Sequence, residues 1–222
     1  MPYTAGVSFP HPPAAARAAL DRLIAGDPQL AAIEARAGAL PWRTRAPGFP
    51  GLLQAIVAQQ ISNQAASAIW GRLRAVGGAL EPAGMLALSD DALRAVGLSR
   101  PKIQHVRSLA AAFLDGTLDA DAIAAMDDEA AVATIGAVRG LGRWTAEVYL
   151  LFALGREDIF PAGDIALAAS AAHLKGLAAR PNPVALRAMA EAWRPSRALA
   201  ARLLWHHWRH ATGRPTIDDV TA

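Results

Sequence analysis

The sequence predicts an all-α protein, and three observations predict it. Of its 222 residues 54 are alanine, the residue that gives up least side-chain freedom in a helix. Apolar residues recur at steps of three and four, as in Val106, Leu109, Ala110, Phe113 and Leu114, which lines one face of a helix. No stretch alternates apolar and polar residues for long enough to make a half-buried strand. Glycine and proline then cut the chain into about ten helices, because glycine accepts the left-handed turn that ends a helix and proline lacks the amide that would continue one. In order, the breaks fall at Gly26, Pro41, Pro47 to Gly51, Gly77 with Gly78, Gly97, Gly116, Gly140 with Gly142, Gly155, Pro161 with Gly163, Pro181 with Pro183, and Pro195.

Composition removes several chemistries. The chain has no cysteine, so disulfides, thiolate nucleophiles and cysteine-held zinc or iron–sulfur clusters are excluded. Only Lys102 and Lys175 are lysines among 22 basic residues, so a Schiff base has two possible origins. A net charge of +3 is a weak guide to partners, but its distribution is uneven. Arg194, Arg197, Arg202, Arg209 and Arg214 follow one another with no acid between them, whereas six acids and no base lie from Asp115 to Glu129. One face is expected to be basic and another acidic. The N-terminus shows no basic segment followed by an apolar run. The charge-free stretch from Ala46 to Gly71 contains Gln54, Gln59, Gln60, Asn63 and Gln64, too many amides for a membrane span. A soluble, cytoplasmic protein is expected.

Two motifs carry chemistry. In Ile135-Gly136-Ala137-Val138-Arg139-Gly140-Leu141-Gly142-Arg143-Trp144-Thr145-Ala146-Glu147 a helix ends, two glycines flank one apolar residue, and a helix begins near Arg143. Such a turn lets an anion approach the amides of the new helix's first turn; the same spacing serves a plain glycine cap between two core helices. The segment Leu93-Arg94-Ala95-Val96-Gly97-Leu98-Ser99-Arg100 is a weaker copy of it. Further on, Phe160-Pro161-Ala162-Gly163-Asp164 puts an aspartate after a proline-glycine turn, at the start of a helix. Asp164 is placed to cap that helix, and a carboxylate there also suits a developing cation. His206 and His210 share a helical face, but no third ligand stands beside them, and with His207 they read as surface or cleft residues. Arg202 and Arg209 read as ordinary helix-surface charges.

Gly140-Leu141-Gly142-Arg143-Trp144-Thr145-Ala146 followed by Phe160-Pro161-Ala162-Gly163-Asp164 resembles the helix-hairpin-helix superfamily of DNA glycosylases. The segments Ala55-Ile56-Val57-Ala58-Gln59-Gln60-Ile61-Ser62, Gly97-Leu98-Ser99-Arg100-Pro101-Lys102 and Trp193-Arg194-Pro195-Ser196-Arg197-Ala198-Leu199-Ala200 are similar to its alkylation-repair branch, the 3-methyladenine DNA glycosylase II family. The resemblance covers residues 14–210. It implies a two-lobed, all-α domain without an N-terminal β domain or an iron–sulfur cluster: lobe A at about 50–155 with the hairpin, lobe B at about 14–49 plus 156–210, and 1–13 as an extended arm, with a cleft between the lobes.

The resemblance also implies an activity, a monofunctional glycosylase that flips alkylated purines out of double-stranded DNA and leaves an abasic site. Asp164 falls on the catalytic aspartate. Trp144 occupies the position at which bifunctional relatives carry a nucleophilic lysine, and with Gln59, Val148, Tyr149, Ile165 and Trp193 it is assigned to the base pocket. Val148 and Ser196 stand where relatives often have aromatics. Gln60, with Ile61, matches the plug that fills the vacated stack; read without the resemblance, Gln59 and Gln60 cap buried carbonyls. Gly140, Gly142, Arg143, Thr145 and Arg197 are assigned to the DNA backbone, and the carbonyls of Gly136, Val138 and Leu141 to a sodium or potassium ion; catalysis needs no cofactor. The implied enzyme is a monomer acting on the bacterial nucleoid. A glycosylase for deaminated or oxidised bases, or a non-catalytic DNA-binding module, are the rival readings.

Overall fold

The computed structural model describes residues 8, 9 and 11–213, so most of the 1–13 arm and Arg214 lie outside the described residues. Thirteen α-helices are present among them, more than the sequence breaks predict. Two of the extra boundaries involve helices of six residues, under two turns, and the third separates α3 from α4 at residues 59–62, where neither glycine nor proline marks the break. The chain divides into two compact units, residues 45–154 and the described parts of 8–44 with 155–213.

The second unit contains α1 (Ala14–Gly26) and α2 (Pro28–Ala37), with Ser8–Phe9 (β1) paired antiparallel to Trp42–Arg43 (β2) in the register Ser8 to Arg43. It resumes at α11 (Ile165–Lys175), α12 (Pro183–Ala190), a 3-10 turn at Glu191–Trp193, and α13 (Arg197–Thr212). The central element is α13, which packs on α11, α2 and α1 and buries Leu199, Leu203 and Leu204. It also buries Arg202. That guanidinium lies 4.1 Å from the Trp42 ring centroid and donates to the Arg43 carbonyl at 2.9 Å, so it belongs to the core and not to the surface.

The first unit runs through α3 (Phe49–Ala58), α4 (Asn63–Arg74), α5 (Pro82–Ala87), α6 (Asp90–Ala95), α7 (Arg100–Leu114), α8 (Ala120–Ala125), α9 (Asp128–Gly136) and α10 (Arg143–Phe152). α3 packs on α4, α7 and α10 and is apolar nearly all round, as befits a central helix. Two of the six acids in the acidic stretch cap helices: Asp119 accepts from Ala122 N at 2.7 Å and Asp127 from Ala130 N at 2.8 Å. No helix among the described residues is long and apolar enough to cross a membrane.

Candidate functional site

The hairpin closes through Val138 N to Ile135 O (3.2 Å) and Leu141 N to Val138 O (3.0 Å), with Gly140 at φ +91°. Gly142 is the N-cap of α10 and carries no side-chain cap, and the first helical bond runs from Ala146 N to Gly142 O. The first-turn amides of Arg143 and Thr145 therefore point out of the helix end. Gly140 is required twice over. Its φ favours glycine, and a Cβ there would stand 2.2 Å from Cγ of His105 on α7. At Gly136 a Cβ would stand 3.8 Å from the Leu141 carbonyl oxygen, an ordinary contact. Backbone carbonyl oxygens are the hard donors a sodium or potassium ion takes, and of the three the Val138 carbonyl also accepts from Leu141 N.

Opposite the hairpin within the same unit lies the turn between α3 and α4. The Gln59 side chain donates from Nε2 to Gly140 O (3.0 Å) and Thr145 Oγ1 (2.9 Å). Its amide nitrogen is thus committed to the hairpin and not to a base. Gln60 is exposed at φ +56°, the one described non-glycine residue with positive φ, and Ile61 is 37% exposed. Ser62 Oγ accepts from Ala65 N and starts α4. Lys102 Nζ donates to Val57 O at 2.5 Å, and burial lowers the pKa of its ammonium.

In the second unit Asp164 caps α11. Its Oδ1 accepts from Leu167 N at 2.9 Å and from the Trp205 indole Nε1 at 3.2 Å. The turn before it is closed by Asp164 N to Pro161 O at 2.9 Å. Ile165, the next residue, is 72% exposed, an unusual position for a large apolar side chain. Trp205 was not singled out from sequence, where it reads with Trp208 as the packed face of a terminal helix. Its link to Asp164 spans 41 residues of sequence and leaves no local signal.

Several sequence-assigned residues are placed elsewhere. Trp193 is 2% exposed, packs on Phe160 at 5.8 Å between centroids, and donates from Nε1 to Asp27 Oδ2. Its faces belong to the core of its unit, and Trp205 is the tryptophan that touches Asp164. Val148 and Tyr149 are buried on α10, and the Tyr149 hydroxyl accepts from Gly48 N at 2.8 Å. Burial pushes that phenol's pKa up. Trp144, by contrast, is half-buried on the first turn of α10. Arg143 is held by Glu129 and by the buried Glu147 (2.9 Å), and Arg197 by Asp158 (2.8 Å) and Glu191 (2.6 Å). Arg194 joins Asp158 and Glu191, so two of the five arginines in the run are paired with acids within the unit, and a third, Arg202, is buried. His207 is buried, not exposed; its Nε2 lies 2.9 Å from His173 Nδ1, and burial depresses its pKa. No cluster of three or more histidine, cysteine or acidic side chains suited to a metal occurs among the described residues.

Comparison with known proteins places the chain in a family. The Schizosaccharomyces pombe protein named DNA-3-methyladenine glycosylase 1 is 30% identical over 161 residues, 71% of each chain. The structure of a 3-methyladenine DNA glycosylase from the same yeast, in complex with abasic DNA, superposes with a TM-score of 0.79 at 25% identity, covering 86% of this chain and 95% of that one. A DNA-3-methyladenine glycosidase from Bacillus halodurans does so with a TM-score of 0.72 at 29% identity, covering 97% and 99%. The family model described as HhH-GPD superfamily base excision DNA repair protein matches residues 53–195, and the chain belongs to that superfamily.

Proposed function

We propose that the protein is a monofunctional DNA N-glycosylase that removes alkylated purines, of the 3-methyladenine and 7-methylguanine type, from double-stranded DNA and leaves an abasic site. The observation that carries the reading is Asp164, a carboxylate oriented at one oxygen by two N–H donors, Leu167 N and Trp205 Nε1, beside the exposed Ile165. A purine alkylated at N3 or N7 is already cationic, so its glycosidic bond breaks with the electron pair leaving on the base nitrogen and no strong general acid is needed. Positive charge then develops on the deoxyribose, and a fixed carboxylate stabilises it because the protein dipoles are already aligned. Water adds to C1′, and its proton passes to Asp164 and on to solvent.

Base extrusion costs a few kcal/mol, and the exposed Gln60 with Ile61 is assigned to fill the gap. The hairpin amides at Gly140, Gly142 and Thr145 are assigned to a backbone phosphate, which positions without reading sequence. A sodium or potassium ion held by the Gly136, Val138 and Leu141 carbonyls would add positive charge there. Trp144 is assigned to stack on the extruded cationic base. Both lysines are engaged, Lys102 with Val57 O and Lys175 with Asp27 Oδ2 and Gln29 Oε1, which supports hydrolysis without strand cleavage.

Incubation with duplexes bearing single lesions, scored for abasic sites, tests this reading. Release of alkylated purines is expected, falling about a hundredfold or more in Asp164→Asn with duplex affinity retained. Release confined to deaminated or oxidised bases, or binding without release of any base, overturns it. A borohydride-trapped protein–DNA adduct would refute the monofunctional assignment.

A further inference from the structure

The turn between α3 and α4 is fastened from two directions, and neither fastening is explained by packing alone. On one side, Lys102, in the first turn of α7, donates to the Val57 carbonyl, one of the last-turn acceptors of α3 that have no partner within their own helix. A cation there also suits the negative end of the helix. On the other side, the Gln59 amide reaches both the Gly140 carbonyl and the Thr145 hydroxyl, in the turn and first helical turn of the hairpin. Between these anchors and the Ser62 cap, Gln60 is held at φ +56°, the left-handed region that a residue with a Cβ rarely adopts. An exposed glutamine in that state, with an exposed isoleucine beside it, is a shape maintained by its surroundings.

We propose that Lys102 and Gln59 are positioning residues that hold the Gln60–Ile61 tip as a preformed wedge and, through Gly140, couple the wedge to the phosphate-binding hairpin. The inference rests on the glycosylase reading only in assigning the tip to the DNA stack. The tip's ordering cost is met before DNA arrives, so insertion competes better with re-stacking of the extruded base. Gln59 thereby exchanges its assignment as a pocket residue for a structural link between capture of the backbone and opening of the duplex.

Three measurements on the full-length protein test it: affinity for an undamaged duplex, fluorescence of 2-aminopurine opposite a tetrahydrofuran abasic site, and single-turnover release of 7-methylguanine. In Lys102→Met the undamaged-duplex affinity should stay within about twofold while the fluorescence change and the release rate each fall about tenfold, and in Gln59→Leu, which frees the hairpin as well, the fluorescence change and the release rate should fall at least as far. Lys102→Arg, which keeps a donor for Val57 O, should recover release to within about threefold of wild type. Undiminished release in folded Lys102→Met, a parallel fall in undamaged-duplex affinity, or failure of Lys102→Arg to recover overturns the proposal. Should wild-type protein leave 7-methylguanine in place while the fluorescence still falls in Lys102→Met, the glycosylase reading fails and the wedge stands.

Discussion

The first unit contains two hairpins of the same local design, and their surroundings differ in nearly every respect. Each joins two helices through a glycine in the left-handed region, Gly97 at φ +102° between α6 and α7 and Gly140 at φ +91° between α9 and α10. At the first, Arg72 of α4 donates from Nε to the Val96 carbonyl at 2.9 Å, and a Cβ on Gly97 would meet the end of that same guanidinium at 2.8 Å. At the second, the Gly140 carbonyl accepts from Gln59 and the glycine rests against the His105 ring. The helices that leave the two turns differ too. α7 has Pro101 as its second residue and so lacks one first-turn amide, whereas α10 begins Arg143-Trp144-Thr145 with all three present. A glycine turn is therefore a backbone device that the fold reuses. The amides of the next helix and the side chains packed on the turn decide whether it is suited to an anion.

The largest effect is expected where the contact is hardest. Gly140→Ala must force back the His105 ring and hold alanine at positive φ, which should cost about 3 kcal/mol in urea unfolding and abolish tight duplex binding. Stability within about 0.5 kcal/mol of wild type would show that the hairpin yields where the geometry says it is rigid. Gly97→Ala meets only a flexible guanidinium end and Ile69, so the expected loss is about 1–2 kcal/mol, mostly backbone strain, with duplex affinity unchanged. A steep fall in affinity would make the first hairpin a DNA contact and erase the contrast. Arg72→Met, measured by thermal unfolding, should cost about 1 kcal/mol for the bond to Val96 O, with the salt dependence of binding unaltered. Smallest of all, Pro101→Ala should lower stability by about 0.5 kcal/mol by loosening the unfolded chain. If the restored amide also strengthened duplex binding, the missing donor would be what separates the two hairpins.

Much of the candidate site was legible as sequence because it is local. The hairpin glycines, the proline-glycine turn and the cap at Asp164 each depend on residues no more than four apart, and steric rules operate at that range. The acidic stretch was legible as a composition but not as a purpose, since two of its acids, Asp119 and Asp127, cap helices. The assigned base pocket fared differently. Trp193, Val148 and Tyr149 carry the aromatic and apolar character of a pocket, yet they are buried, because burial depends on what the opposite helix supplies and not on the residue itself. Arg143 and Arg197 have the charge of phosphate ligands, but acids brought near by folding already hold them.

By itself, then, the sequence determined the helical class, the helix ends marked by glycine or proline, the exclusion of cysteine chemistry and the cap position of Asp164. These come from propensity, from φ, and from hydrogen bonds that close within one turn. Tertiary structure alone decided the partnerships: Trp205 with Asp164 across 41 residues, Lys102 with Val57 across 45, Gln59 with Gly140 across 81. The reason is physical. A helix can present a side chain toward any neighbour its packing provides, so a bond between distant residues has no local signature until the helices that carry them are packed.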